Sequence, residues 1–117
     1  MYELGWGTAQ DYQQALRWYA RAAEQGHAEA QANLAVMYEL GKGVMQDYRQ
    51  AAFWYSKAAD QGNSAAQGTL GDYYRLGLGV EKDFAEAERL LALAAKNGNE
   101  WAKDRLNALL ADKAKLK

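Results

Sequence analysis

The chain has 117 residues, half of them hydrophobic and a quarter charged, with 14 Lys and Arg against 15 Asp and Glu. This is the make-up of one folded domain, and its near-zero net charge supplies no field toward nucleic acid or an anionic membrane surface. The absence of cysteine excludes disulfides, thiolate catalysis and thiolate metal sites, and no apolar run approaches the ~20 residues of a membrane span.

Eleven glycines and no proline leave glycine to make the chain reversals. The glycines recur every 36 residues: Gly5, Gly41 and Gly77; Gly7, Gly43 and Gly79; Gly26, Gly62 and Gly98. Sliding the chain by this period matches 17 of the 27 positions of 1–27 with 37–63, and 14 of the 36 positions of 28–63 with 64–99. A fixed period between 20 and 50 residues is the signature of a stacked repeat.

In chain order, Met1–Leu4 matches only the last turn of a first helix A, so residues 1–27 form a partial repeat. Its helix B runs over Tyr12–Gln25, with Tyr12, Ala15, Trp18, Tyr19, Ala22 and Ala23 on one stripe. The repeat 28–63 opens with helix A over Ala28–Leu40, where Ala30, Leu34 and Tyr38 recur every four residues, flanked by Gln31 and Ala35. Gly41 ends that helix in the left-handed region, and Gly43 tightens the reversal. Asp47 then caps helix B, Tyr48–Gln61, with Gln50 three residues on for a capping box. The repeat 64–99 follows the same plan, with Asp83 and Glu86 at its cap, and Asp11 takes the corresponding role in the partial repeat. Residues 100–117 read as a C-terminal capping helix that keeps Ala102 and Leu106 but thickens with polar residues. Lys113, Lys115 and Lys117 there complement the helix C-terminal dipole.

The predicted fold is all-α: a right-handed α/α superhelical solenoid of about three 36-residue helix-turn-helix repeats, incomplete at the N-terminus, with five principal helices including the cap. The motif residues are Ala28, Ala30, Gln31, Leu34, Ala35, Tyr38, Gly41, Gly43, Val44, Asp47, Tyr48, Ala51, Trp54, Tyr55, Lys57, Ala58, Ala59 and Gly62. Together they resemble the Sel-1-like repeat, a relative of the tetratricopeptide repeat. The resemblance implies a bacterial protein and a non-catalytic scaffold or adaptor that binds a protein or peptide. Met45 and Glu81 stand where the family commonly has proline. The cysteine pairs of some secreted bacterial members are missing, and with them much of the case for the alternative, a cell-wall-related or β-lactam-binding hydrolase.

The residues give little to an enzyme. His27 is the only histidine and falls in an inter-repeat turn; Thr8, Ser56, Ser64 and Thr69 fit no nucleophile-elbow pattern. Gly41-Lys42-Gly43 lacks the third glycine of a dinucleotide fingerprint and follows a helix rather than a strand. Carboxylate pairs such as Asp60/Glu29 or Asp72/Asp104 are expected by chance among fifteen acids. No catalytic residue, cofactor or metal is expected.

By resemblance to tetratricopeptide arrays, the face of helix A opposite its core stripe lines a partner-binding groove. It carries Glu29, Ala32, Asn33 and Val36, then Ala65, Gly68, Thr69 and Asp72, then Trp101, Asp104 and Arg105. Small side chains at Ala32, Ala65 and Gly68 are expected to leave room for a bulky ligand group. Phe53 breaks the repeat pattern and suggests an exposed anchor on the outer face. With so little of a first helix A to cover Tyr12–Gln25, a homodimer through the N-terminal repeat, or fraying there, is also expected.

Overall fold

The computed structural model of the protein describes residues 9–115, so the expectations for Met1–Leu4, Gly5, Trp6, Gly7, Thr8 and Lys117 lie outside the described residues. Among the described residues six helices follow one another: α1 (Ala9–Glu24), α2 (Ala28–Leu40), α3 (Tyr48–Asp60), α4 (Ser64–Leu76), α5 (Phe84–Lys96) and α6 (Glu100–Lys115). The expected count of five principal helices is corrected to six: the helix B read over Tyr12–Gln25 is an element of the same standing as the others, α1. There is no strand among the described residues. α2/α3 and α4/α5 are the two complete A/B pairs; α2 also packs on α1, α4 on α3, and α6 on both α5 and α4. Stacking in one direction gives a body of 50 × 24 × 24 Å. Its accessible surface of 7142 Å² exceeds the roughly 6300 Å² of a globular protein of this mass.

Close approach within a pair depends on small residues. Ala35, Ala51, Ala66 and Ala87 are fully buried, and a Cβ on Gly71 would come within 2.9 Å of Leu91 Cγ. The core is wider than the Ala30–Leu34–Tyr38 stripe. Met37 and Tyr73 are buried, whereas Tyr38 and Tyr74 are only half-buried. In α6 the fully buried side chains are Ala102 and Leu109, the latter in register with Tyr73.

The helix ends follow from local chemistry. After helix B, Gly62 N–H donates to Ala59 O and Asn63 N–H to Ala58 O, each within 3.2 Å, the paired bonds of a Schellman ending. The same pair recurs at Gly26 and at Gly98. Asp47 Oδ1 accepts from the N–H groups of Arg49 and Gln50, and Asp83 Oδ1 from that of Glu86. Only half of the capping box forms. The Asp47 and Asp83 N–H groups donate to the carbonyls of Tyr38 and Tyr74 on helix A, and Glu86 is engaged by Arg89. α1 begins at Ala9, so Asp11 lies in its first turn rather than at its cap.

The A helices start differently from one another. Asn63 caps α4 through Ala66 N–H at 2.9 Å, and Asn99 caps α6 through Ala102 N–H at 3.0 Å. His27, at the same place before α2, makes no side-chain cap bond. His27→Asn is therefore expected to raise stability by about 1 kcal/mol, read as a higher midpoint in chemical denaturation at pH 7.

Gln31 and Gln67 tie successive repeats together. Each is buried, and each donates its side-chain amide to a carbonyl near the end of the preceding helix B: Gln31 to Ala23 O, Gln67 to Ala59 O. Their carbonyl oxygens accept from the side chains of Gln61 and Asn97, at the end of helix B of their own repeat. A buried amide satisfied on both sides fixes the stacking register between repeats.

Candidate functional site

The helix-A face is carried by α2, α4 and α6, of which α4 and α6 touch directly. Glu29, Val36, Ala65, Trp101 and Asp104 are exposed; Ala32, Asn33, Thr69, Asp72 and Arg105 are half-buried; Gly68 is buried. Gly68 does not hold open a space for a ligand. A Cβ there would lie 3.3–3.4 Å from Ala102 Cβ, Asn99 Nδ2 and Trp101 Cε3, so α6 itself fills the room that the missing side chain leaves. Ala32 likewise packs on the core shared by α2, α3, α4 and α5.

At the α6 end, Trp101 stays 45% exposed although one edge rests on Gly68. The Arg105 guanidinium lies 5.7 Å from its ring centroid, a cation–π distance. Arg105 Nε is buried and has no hydrogen-bond partner. At the α2 end, Asn33 and Val36 open into a cleft of about 260 Å³ shared with α1, where Tyr12, Tyr19, Met37 and Leu40 complete an apolar lining. Between the two ends Asp72 is engaged: Arg75 Nε donates to it at 2.8 Å, and Arg75 Nη1 reaches Asp112 of α6 at 3.3 Å. Asp72 holds the Arg75 that ties α4 to α6, and a carboxylate pair with Asp104 has no support in its bonding.

Sequence reasoning passed over one polar cluster entirely. The Glu39 carboxylate on α2 accepts from Tyr55 Oη of α3 at 2.7 Å and Tyr73 Oη of α4 at 2.9 Å. The Tyr73 ring meets Tyr55 and Tyr48 edge to face. Burial, then the hydrogen bond and the negative charge of Glu39, push both phenols well above the usual tyrosine range. One repeat on, the three positions hold Arg75, Leu91 and Leu109. Their joint change at a spacing of 36 was the available signal. Because the folded phenols are raised above the ordinary value of about 10, their contribution is present below pH 10 and is lost as pH climbs beyond it. Denaturation between pH 9 and 12 should show stability falling by up to about 1.4 kcal/mol per pH unit for each phenol. Tyr73→Phe should flatten that slope.

The remaining candidates are ordinary. Among the described residues no group of three or more His, Asp or Glu side chains is placed to hold a metal. No described helix is long and apolar enough to cross a membrane. His27 is exposed. Phe53 is half-exposed, stacked edge-on to Trp54 at 5.0 Å with Lys57 over its ring. Lys113 spends its charge on Glu88 of α5, at 2.7 Å.

A paired-helix stack with a 36-residue register has a sequence counterpart: the Sel1 repeat profile matches residues 1–27, 28–63 and 64–99. The chain belongs to the Sel1 repeat family. Solved structures agree. A Sel1 repeat protein from Oxalobacter formigenes superposes with a TM-score of 0.76 at 46% identity, over 79% of this chain and 69% of that one. The c5321 protein, a protective antigen of uropathogenic Escherichia coli strains that displays the same repeat fold, gives 0.85 at 39% identity. That match covers 89% of this chain but only 22% of the antigen. Helicobacter pylori cysteine rich protein B gives 0.73 at 31%, over 78% of this chain and 68% of that one. These bacterial relatives agree with the bacterial origin implied by the motif, while the Sel1 stack of this chain holds no cysteine. No curated protein matches the chain significantly. Sel1 repeats generally form non-catalytic scaffolds for protein–protein interaction.

Proposed function

We propose that this Sel1 stack is an adaptor that captures a protein or peptide segment along its helix-A face, without catalysis. The observation that carries the reading is Arg105: a guanidinium held against an exposed tryptophan, with a buried Nε–H that nothing among the described residues accepts. Buried donors are rarely left without an acceptor, and Trp and Arg are the residue types most enriched among interface anchors. A partner carboxylate or backbone carbonyl seated on Trp101 would bond the terminal N–H groups of the half-buried guanidinium, and the apolar cleft beside Val36 would take a hydrophobic side chain from the same segment. Glu29, Asn33, Ala65, Thr69 and Asp104 would frame the path between them.

The test uses a partner identified by cross-linking, with its affinity measured directly. Trp101→Ala and Arg105→Ala should each weaken binding by about tenfold or more while the melting curve stays that of the parent. A chemical-shift footprint that avoids α2, α4 and α6 would refute the reading. Charge reversal at Asp72 is a poor probe, since it breaks the Arg75 tie and loosens α4 from α6. Self-association through α1 is a second reading, favoured by Trp18, whose side chain is 72% exposed. Sedimentation velocity over a hundredfold range of about 1–100 µM would separate monomer from dimer, since specific dimers commonly have dissociation constants in that span or below.

A further inference from the structure

On the helix-B side the solenoid makes the same groove twice. α1 and α3 flank one over α2; α3 and α5 flank the other over α4. The two are related by the 36-residue register, so their contents can be compared position by position. In the first, Trp54 of α3 lies on the floor and packs against Ala23, Ala30 and Leu34. The second offers the same floor in Ala59, Ala66 and Leu70, and Tyr74 repeats Tyr38. The tryptophan does not repeat. Its place is taken by Leu90, a shorter side chain that is itself buried, and above it a cleft of about 320 Å³ stays open. That is the lower end of the size range of ligand pockets, roughly 300–1000 Å³.

We propose that this cleft receives the indole of a tryptophan from an extended segment of a partner protein, in the place that Trp54 occupies one repeat earlier. The chain's own first groove is the template: Ala59, Leu70 and Tyr74, which line this cleft, repeat the Ala23, Leu34 and Tyr38 that surround an indole there. Ser56, Asp60, Gln67, Glu86 and Arg89 add polar walls. The borders suit the polar end of the ring. Asp60 and Glu86 both line the cleft, and a carboxylate is an acceptor for an indole N–H, which can only donate. Glu86 is held in position by two hydrogen bonds from Arg89, at 2.6 and 3.0 Å. Seating one large aromatic in a preformed pocket is how a few residues carry most of an interface's energy. This surface is separate from the helix-A face, so its fate does not depend on that reading.

The test is titration of the full chain with N-acetyl-tryptophanamide, followed through the methyl resonances of Leu70 and Leu90. Saturable shifts are expected at both, with N-acetyl-leucinamide weaker by about tenfold. Leu90→Trp should fill the cleft from within, keep the helical circular dichroism, since Trp54 already sits in this register, and abolish the Leu70 shift. Should Leu90→Trp fail to fold, Ser56→Leu narrows the cleft from α3 and should weaken binding likewise. Absence of saturation, or an affinity untouched by the blocking variants, would overturn the proposal. So would Leu70 and Leu90 shifts that follow protein concentration alone and vanish in Trp18→Ala, because the occupant would then be a second copy of this chain.

Discussion

Leu91→Ala is expected to cost about 2–5 kcal/mol, lowering the denaturation midpoint without changing the helical spectrum at low denaturant. Leu91 is fully buried and belongs to the cluster of Ala87, Ala94, Ala102 and Leu109 that joins the last A/B pair to α6. On its other side is Gly71, whose absent side chain leaves just enough room for the leucine. Backbones already this close have little freedom to collapse into a cavity, which places the cost toward the upper part of the range. The comparison variant is Leu110→Ala, one residue beyond Leu109 and largely exposed. It should cost well under about 1 kcal/mol. Equal losses in the two variants would contradict the packing described for α6.

Gly79→Val is the second large effect, expected at roughly 3–5 kcal/mol, with fraying between repeats as its signature. Two penalties combine. Gly79 has φ +68°, where a β-branched residue is strained, and a Cβ there would run into the Tyr48 carbonyl at the start of the preceding helix B. Gly43 stands in the same relation to Tyr12, at 2.8 Å. Gly41→Val meets the first penalty but not the second, since only Gln46 is near, at 3.4 Å. The ranking Gly79→Val worse than Gly41→Val is thus a direct check. Amide exchange should report it first at Tyr48 and Arg49, on the neighbouring repeat rather than at the mutated turn.

That contrast also marks how far the sequence could be read. Gly43 and Gly79 read as residues that tighten the reversal within a repeat, because a turn is a local matter and local chemistry is what a sequence pattern displays. Their contact with the previous helix B is a property of stacking, with no trace in the turn itself. The same holds for Gln31 and Gln67. Their recurrence was plain, while their role as clasps depends on which carbonyls the neighbouring helix end presents. Helix positions and the glycines that recur at the helix ends were legible because one repeat contains their cause. On the helix-A face Trp101 and Val36 are exposed. Gly68 is not, since the atoms that fill its space come from α6. Asp72 was misread for a similar reason: its partner Arg75 is one turn away, but that arginine's second contact, Asp112, is 37 residues on.

The Glu39–Tyr55–Tyr73 cluster and its replacement by Arg75, Leu91 and Leu109 give the stack two unlike joints. One holds by hydrogen bonds to an anion, the other by oil-like contact with an ion pair at its edge. In a linear array stability is close to a sum over neighbouring units, so the joints need not fail together. Strong base loosens the α2–α3–α4 joint, whereas cooling weakens the leucine-filled one, since burial of hydrocarbon loses its driving force in the cold. Opposite conditions would therefore open the rod at opposite ends.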